Sequence, residues 1–361
     1  MQEIVALTQD LIRFRSTHAE PQYIQECAAY VASYLDANGI AYRRIDYQGT
    51  PSILALPNER FVPVLLMSHI DVVDGPEALF EPYIRDGKLY GRGSIDDKYA
   101  VALSLVLMKR YLERLRGQGK DQSDLPFGIL ITGDEEIGGH NGAEKALEQI
   151  DPEFCIALDG GRVDKVVVKE KGLLTLGLVS RGRAAHGARP WLGENAIENL
   201  FEDYRRIKGF FRETAGDHWH RTLNLSIIRA GRSFNQVPDR AEATLDIRYT
   251  EKDDIDRLVE EMRKAVSGEL TVLAREPMFT SGQCPYLSLL LELSDTIRSG
   301  VEHGASDARF VSDYGICGVV WGADGDDSAH TAHEHVTIDS LTRLYDLLEE
   351  FLKKVEKVHY C

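Results

Sequence analysis

Val64-Leu-Leu-Met-Ser-His-Ile-Asp71 is the stretch on which the reading of this chain turns. Its apolar run is too short for a helix and is stopped by polar residues, so it reads as a buried strand. In extended chain, residues two apart face the same side. His69 and Asp71 therefore project together from the strand's carboxyl end. A metal-bound imidazole usually gives its other ring nitrogen to a carboxylate, and Asp71 is placed for that. Alone, the pair says little, because a His-x-Asp at a strand end is more often structural. The chain, however, repeats the arrangement.

Phe127-Gly-Ile-Leu-Ile-Thr132 is a second apolar strand, and it ends in Gly133-Asp-Glu-Glu136. Three consecutive carboxylates closing a core strand are costly if buried unpaired, which favours a cation over a solvated loop. A third strand, Phe154–Leu158, ends in Asp159-Gly-Gly161. A fourth, Gly318-Val-Val-Trp321, runs through an acidic loop to His330-Thr-Ala-His333-Glu-His335. Ligands of open α/β sheets bind at the carboxyl edge of the strands. The expected fold class is thus α/β, an open mixed or parallel sheet with helices on both faces. Histidine, aspartate and glutamate without cysteine suit Zn²⁺, Co²⁺ or Mn²⁺. One imidazole per cation plus shared carboxylates points to two ions. Spacing does not choose among His330, His333 and His335.

Between the first two strands lies Gly91-Arg-Gly-Ser-Ile-Asp-Asp-Lys98, leading into a helix from Tyr99 to about Arg116 that is almost wholly apolar over Ala100–Met108. Asp96 and Asp97 stand at its amino end, where aspartates cap helices routinely. Upstream, helices are expected over Glu3–Phe14 and about Gln22–Ala37, the second ended by Gly39, followed by short strands near Tyr42–Tyr47 and Ser52–Leu56. From Leu174 to Phe279 the order is strand, helix, strand, strand, helix, strand, the split βαβ pattern of a ferredoxin-like domain. The division expected is 1–173, 174–281 as an insert, and 282–361. Within the insert, Arg248 alternates with Asp246 as an ion-pair partner would, and the histidine of Ala185-His186-Gly187 reads as structural or surface.

The 361 residues are 43% hydrophobic and 28% charged, an ordinary globular balance. A formal charge of -16 argues against nucleic acid and anionic membranes as partners. The five cysteines, Cys27, Cys155, Cys284, Cys317 and Cys361, are scattered without a C-x-x-C pair. Three lie in apolar surroundings, which reads as buried thiols in a reducing compartment. With no export signal and no run of about 20 apolar residues, a cytoplasmic location and no membrane are expected.

Taken as a set, SHID (68–71), GRGSIDDK (91–98), GDEE (133–136), Asp159, AHGARP (185–190), NQVPDRAEATLDIR (235–248), GASDARF (304–310) and AHTAHE (329–334) resemble the M20 metallopeptidases and deacylases over nearly the whole chain. The resemblance implies a catalytic domain with an inserted lid that often dimerises, and a centre of two divalent ions, Zn²⁺ first and Co²⁺ or Mn²⁺ next. It implies that His69 and Asp159 hold one ion, that His330 and Glu136 hold the other, and that Asp96 bridges them. Asp71 would orient His69, and Glu135 would be the general base. The family pattern selects His330, leaving His333 and His335 to the surface or to support. His186 and Asn235 would serve the oxyanion, often in a partner subunit's site, and Arg248 and Arg309 the substrate, Arg309 by a two-bond fork to a carboxylate.

Metal binding lowers the pKa of water from about 15.7 to roughly 7, and Glu135 would carry its proton to the leaving amine. Tyr99 stands where many relatives have glycine. Aspartate at 159 is, by the resemblance, commoner in the aminopeptidase and dipeptidase branches, which tilts the reading toward an exopeptidase or dipeptidase. An N-acyl-amino-acid deacylase, of the acetylornithine deacetylase or succinyl-diaminopimelate desuccinylase type, is the alternative, and a non-catalytic binding protein the third. A two-metal phosphatase is disfavoured by the absence of a basic phosphate cradle beyond Arg309.

Overall fold

The four apolar runs become four adjacent parallel strands. In the computed structural model, which describes residues 1–359, they stand in the order Phe127–Thr132, Phe61–His69, Asp151–Ala157, Cys317–Val320. Their carboxyl ends therefore share one edge of the sheet. The strand carrying His69 is central, and its neighbours on the two sides come later in the chain, so the connections diverge there, as at a topological switch point. Antiparallel strands flank them, Arg43–Tyr47 and Thr50–Ala55 on one side and Lys165–Glu170 on the other, and Phe279–Thr280 and Arg298–Glu302 pair with the last.

Alternation along the central strand explains its unbroken hydrophobicity. Val64 and Leu66 face one core, with the helices Gln2–Ile12, Pro21–Ala37, Lys98–Arg116 and Ile338–His359. Leu65 and Met67 face another, with Leu130, Ala146, Phe310 and Val311. A strand buried on both faces has no polar positions to spare. Every residue of Lys98–Met108 is buried, which gives the central helix the all-round apolar character seen in the sequence. Gly39, at φ +61°, closes the second helix with the left-handed turn that glycine adopts without penalty.

The chain divides into two units. One comprises Met1–Lys169, Phe279–Glu302 and the chain from Ser306 onward; the other is Glu170–Met278 with His303–Ala305. The second unit has a four-stranded antiparallel sheet in the order Thr222–Ala230, Arg240–Tyr249, Gly172–Arg181, Glu269–Glu276. Its helices, Ala196–Lys208 and Ile255–Ala265, are capped by the Asn195 and Asp254 side chains, which accept the backbone N–H of Ile197 and Arg257 at 3.0 Å each. Leu174, Leu176, Leu178, Ala243, Leu245 and Ile247 pack under these helices against Leu200, Leu258 and Met262. The edge strand Thr222–Ala230 is bulged between Leu225 and Ile227 and leaves Ile227 and Ile228 exposed.

Two expectations change. Cys284 and Cys317 are paired as a disulfide, their Cα atoms 6.5 Å apart, rather than standing as thiols. The pair links the start of helix Pro285–Leu291 to the start of strand Cys317–Val320, a contact across 33 residues that no local spacing announces. Cys27 and Cys155 are buried thiols, and Cys361 lies outside the described residues. Asp97 is the N-cap residue of the central helix, yet its side chain makes no capping bond. Its Oδ2 instead faces the backbone N–H of His69 at 3.4 Å. Among the described residues no helix is long and apolar enough to cross a membrane.

Candidate metal centre

At the shared strand edge two groups of donors converge, with Asp96 common to both. Ligand atoms of His69, Asp96 and Asp159 lie within 4.8 Å of one another, and so do those of Asp96, Glu136 and His330. Asp96 Oδ1 is 3.1 Å from His69 Nε2, and its Oδ2 is 2.9 Å from His330 Nε2. Glu136 Oε2 stands 3.2 Å from the same His330 nitrogen, and Asp159 Oδ2 is 3.9 Å from His69 Nε2. One carboxylate thus spans two imidazoles, each of which has a second carboxylate of its own.

His69 is buried at the end of its strand. Its Nδ1 donates to the main-chain carbonyl of Asp71 at 2.9 Å, with the Asp71 carboxylate at 3.3 Å. That bond commits Nδ1 as a donor and leaves Nε2 facing Asp96 and Asp159, the nitrogen that a cation would take. The nearer anchor is the peptide carbonyl; the Asp71 carboxylate has further work. Fully buried, it accepts the backbone N–H groups of Glu135 at 3.2 Å and Glu136 at 3.0 Å, and a bond from His18 Nε2 at 2.9 Å. Burial pushes the Asp71 carboxyl up, but the hydrogen bonds from His18 and His69 hold it at about 2.

The acidic loop after the Phe127–Thr132 strand divides its labour. Asp134 is not among the clustered ligands; its Oδ2 accepts the N–H groups of Asn141 and Gly142 at 2.9 and 3.1 Å and closes the loop. A Cβ at Gly142 would fall 2.1 Å from Asp134 Oδ1, so this approach requires glycine. Glu136 turns to His330, and its Oε1 accepts the N–H of Val73 at 3.1 Å. Glu135 lines a small cleft with His69, Thr132, Asp159 and Asp307. Burial, then the charge of Asp159, pushes the Glu135 carboxyl well above its ordinary value. Burial and Asp96 raise Asp159 to about 6.

His330 adopts φ +62° on its loop, and its ring is half exposed. Hydrogen bonds to Asp96 and Glu136 raise its pKa to about 10. A proton on this ring balances the surrounding carboxylates, and it is what a divalent cation in the same place would displace. Two clusters of N and O donors, rich in negative charge and without thiolate, fit two divalent ions of the Zn²⁺, Co²⁺ or Mn²⁺ type.

The other histidines of that loop do separate jobs. His333 is exposed, and His335 is buried with Nε2 on Asp326 at 3.1 Å. Buried Glu334 is paired with Arg92 and accepts the N–H of Gly93 at 2.8 Å, holding the loop that delivers Asp96. Arg309 has a structural part in its own loop. It is buried, and its terminal nitrogens donate to the main-chain carbonyls of Ser306 at 2.7 Å and Gly138 at 2.6 Å. The residue of that motif lining the cleft is Asp307, which burial raises to about 7 against the pull of Arg309.

In the inserted unit, His186 and Asn235 come together on a short ribbon. Strand Ala185–His186 pairs with Gln236–Val237, and Gly187 N donates to Asn235 O at 2.7 Å. Arg248 is bonded to Asp246 of its own strand at 2.9 and 3.3 Å. His18, Arg92, Glu334 and Asp307 were not singled out in the sequence. Arg92, Asp307 and Glu334 sit inside the quoted motifs, whereas His18 carries no spacing signal.

A family model described as Peptidase family M20/M25/M40 matches residues 65–354. The chain belongs to this family. It is accordingly a metal-dependent hydrolase of amide bonds. A succinyl-diaminopimelate desuccinylase from Wolbachia pipientis subsp. Culex pipiens is 26% identical to this M20 chain, over 97% of the chain and 92% of the relative. Among solved structures, a tripeptidase from Staphylococcus aureus superposes with a TM-score of 0.79 at 21% identity, covering 99% of this chain and 98% of the other. An M20 family metallo-carboxypeptidase from Sulfolobus solfataricus gives 0.78 at 21% identity, covering 99% and 100%. These likenesses carry the fold, an α/β unit with an inserted α+β unit.

Proposed function

We propose that this M20 chain is a two-metal hydrolase of small peptides, of the exopeptidase or dipeptidase type. The observation that carries the two-metal reading is Asp96, whose two oxygens face His69 and His330 from opposite sides. His69 and Asp159 would hold one ion, His330 and Glu136 the other, and Asp96 would serve both. When bound there, divalent cations would supply a lowered water pKa and a counter-charge for the scissile carbonyl. Glu135, whose carboxyl burial and the charge of Asp159 push above its ordinary value, accepts the water's proton and passes it to the leaving amine. Asp71 keeps the His69 tautomer and, through two backbone N–H groups, the direction of Glu135 and Glu136.

His186 and Asn235, adjacent on their exposed ribbon, are assigned to the oxyanion. Arg248 is assigned to the substrate on the resemblance alone. Arg309 is assigned to the substrate on the resemblance; one N–H of each terminal nitrogen holds its own loop, and each nitrogen has a second. The bulged edge strand Thr222–Ala230, with Ile227 and Ile228 bare, is the surface through which two copies would pair. Light scattering tests that pairing.

Two supports point to different substrates. Asp159, the shorter carboxylate, favours the peptidase branch, and the desuccinylase relative favours the deacylase alternative. Rates of Zn²⁺-loaded protein on dipeptides, tripeptides, N-acetyl and N-succinyl amino acids separate them. Cleavage of an N-acyl amino acid with none of any peptide sinks the peptidase reading and leaves the metal centre standing.

A further inference from the structure

We infer that His18, on the turn between the first two helices, is a positioning residue of the hydrolytic centre. It clamps the Asp71 carboxylate and, through it, both His69 and the Glu135–Glu136 backbone. The inference rests on the reading of the strand-edge cluster as a metal centre.

The turn is fastened to the strand end before His18 makes its contact. Ser16 Oγ donates to the carbonyl of Ile70 at 2.6 Å, and the carbonyl of Ser16 accepts the N–H of Val72 at 3.0 Å. Ser16 therefore grips the backbone on both sides of Asp71. One residue pair earlier, the carbonyl of Phe14 accepts a bond from buried Lys98 Nζ at 2.7 Å, which ties the turn to the central helix just after Asp96 and Asp97. Held in this way, His18 reaches Asp71 Oδ2 with Nε2 at 2.9 Å.

The Asp71 carboxylate then accepts three hydrogen bonds. Oδ1 takes Glu135 N and faces His69 Nδ1; Oδ2 takes Glu136 N and His18 Nε2. A carboxylate has about four lone-pair sites, and here three take a hydrogen bond while His69 Nδ1, whose proton goes to the Asp71 main-chain carbonyl, stands 3.3 Å from Oδ1. Two of the three donors are backbone N–H groups of the centre's own residues. The third, His18, is the only one from outside it among the described residues, and it fixes the rotation of the carboxylate that the others share. Without it, Oδ2 retains a single bond, and both the His69 ring and the peptide direction of Glu135 and Glu136 lose a fixed reference. Partners at this remove typically change metal affinity or activity 10- to 100-fold.

The test compares two replacements of similar reach. His18→Gln keeps a side-chain N–H donor; His18→Met fills comparable volume with none. Metal-free protein is titrated with Zn²⁺ against a competing chelator, and kcat and KM are measured on the best substrate of the panel above. For His18→Met, Zn²⁺ affinity and kcat are expected to fall about tenfold or more, with KM within about threefold. His18→Gln should recover most of both losses. Equal behaviour of Met and Gln, or a Met variant within twofold of the parent, overturns the inference. A parent that binds no Zn²⁺ overturns the metal-centre reading as well. Should the Met variant not fold, ¹⁵N shifts of the His18 ring in the parent decide: Nε2 must carry the proton, and an unprotonated Nε2 overturns the clamp.

Discussion

The two halves of the candidate centre share Asp96 and are otherwise built by different means. On the His69 side the imidazole ends a core strand, is buried, and is anchored at Nδ1 by Asp71. On the His330 side the imidazole sits on a loop, at a left-handed backbone position, half exposed, and is held by the carboxylates that would share its ion. One half is organised by the sheet before any ion arrives. The other depends far more on the ion for its order. Affinity and lability should therefore divide along this line, and several measurements can break or sharpen it.

The largest effect is expected at the shared residue. Asp96→Ala removes a ligand from both halves, so kcat/KM should fall beyond about 10³-fold, and bound Zn²⁺ should drop well below two ions per chain. Retention of two ions with useful activity would remove the bridging role. Next comes Glu135→Gln, which leaves every proposed ligand in place. It should lower kcat by about 10²- to 10⁴-fold while metal content, read by elemental analysis, stays as in the parent. A loss of metal in this variant would make Glu135 a ligand rather than a base.

Smaller, and aimed at the comparison itself, is the graded loss of metal. Limiting chelator should remove one ion first, and His330→Ala should bind one Zn²⁺ with affinity within about tenfold of the parent's tighter site. His69→Ala should lose the tighter site. Calorimetry of metal-free protein reads both. If the two ions leave together with a single affinity, the division between sheet-borne and loop-borne halves is wrong.

The same division marks what could be read from residues in order. Apolar runs that end in His, Glu or Asp are legible because burial on both faces removes every polar position except the terminal ones. The parallel order then brings those ends to one edge. Contacts made by turns left no such trace. His18 lies 53 positions from Asp71, and nothing in its neighbourhood distinguishes it from a surface histidine. Asp97 read as a helix cap, but its carboxylate turned back to His69 N because the strand end lies beneath it. In Gly304-Ala-Ser-Asp-Ala-Arg309, the resemblance points to the arginine as a substrate group, but no spacing announces that the short helix Ala308–Asp313 also carries that guanidinium to Gly138 and leaves Asp307 on the cleft. Cys284 and Cys317 meet only because a helix start and a strand start are neighbours in the fold.

The smallest effect is the pH dependence of stability, and its size differs between metal-free and loaded protein. His330 is raised to about 10 by Asp96 and Glu136. Its stabilising contribution is complete below the unfolded value of about 6.5 and is lost as pH rises through the folded one. His69 acts in the same sense: burial lowers it, but bonds to Asp159, Asp71 and Asp96 hold it well above its ordinary value. Asp159, raised to about 6, keeps a proton in the fold that the unfolded chain releases near 3.9, so stability falls across that interval as pH increases. Asp71, at about 2, works in the opposite sense; its contribution is present above about 4 and is lost toward 2. Metal-free protein should therefore be most stable near pH 4 to 5 as far as these groups decide, and its Tm should decline by several degrees from pH 6 to 9. Zn²⁺ takes the place of the protons on His69 and His330 and should flatten that alkaline decline. In His330→Gln the metal-free decline should shrink without vanishing, because His69 still titrates. A metal-free Tm that climbs between pH 7 and 9 would mean that the two imidazoles do not hold the protons their carboxylate neighbours call for, and the electrostatic contrast between the two halves would fail with it.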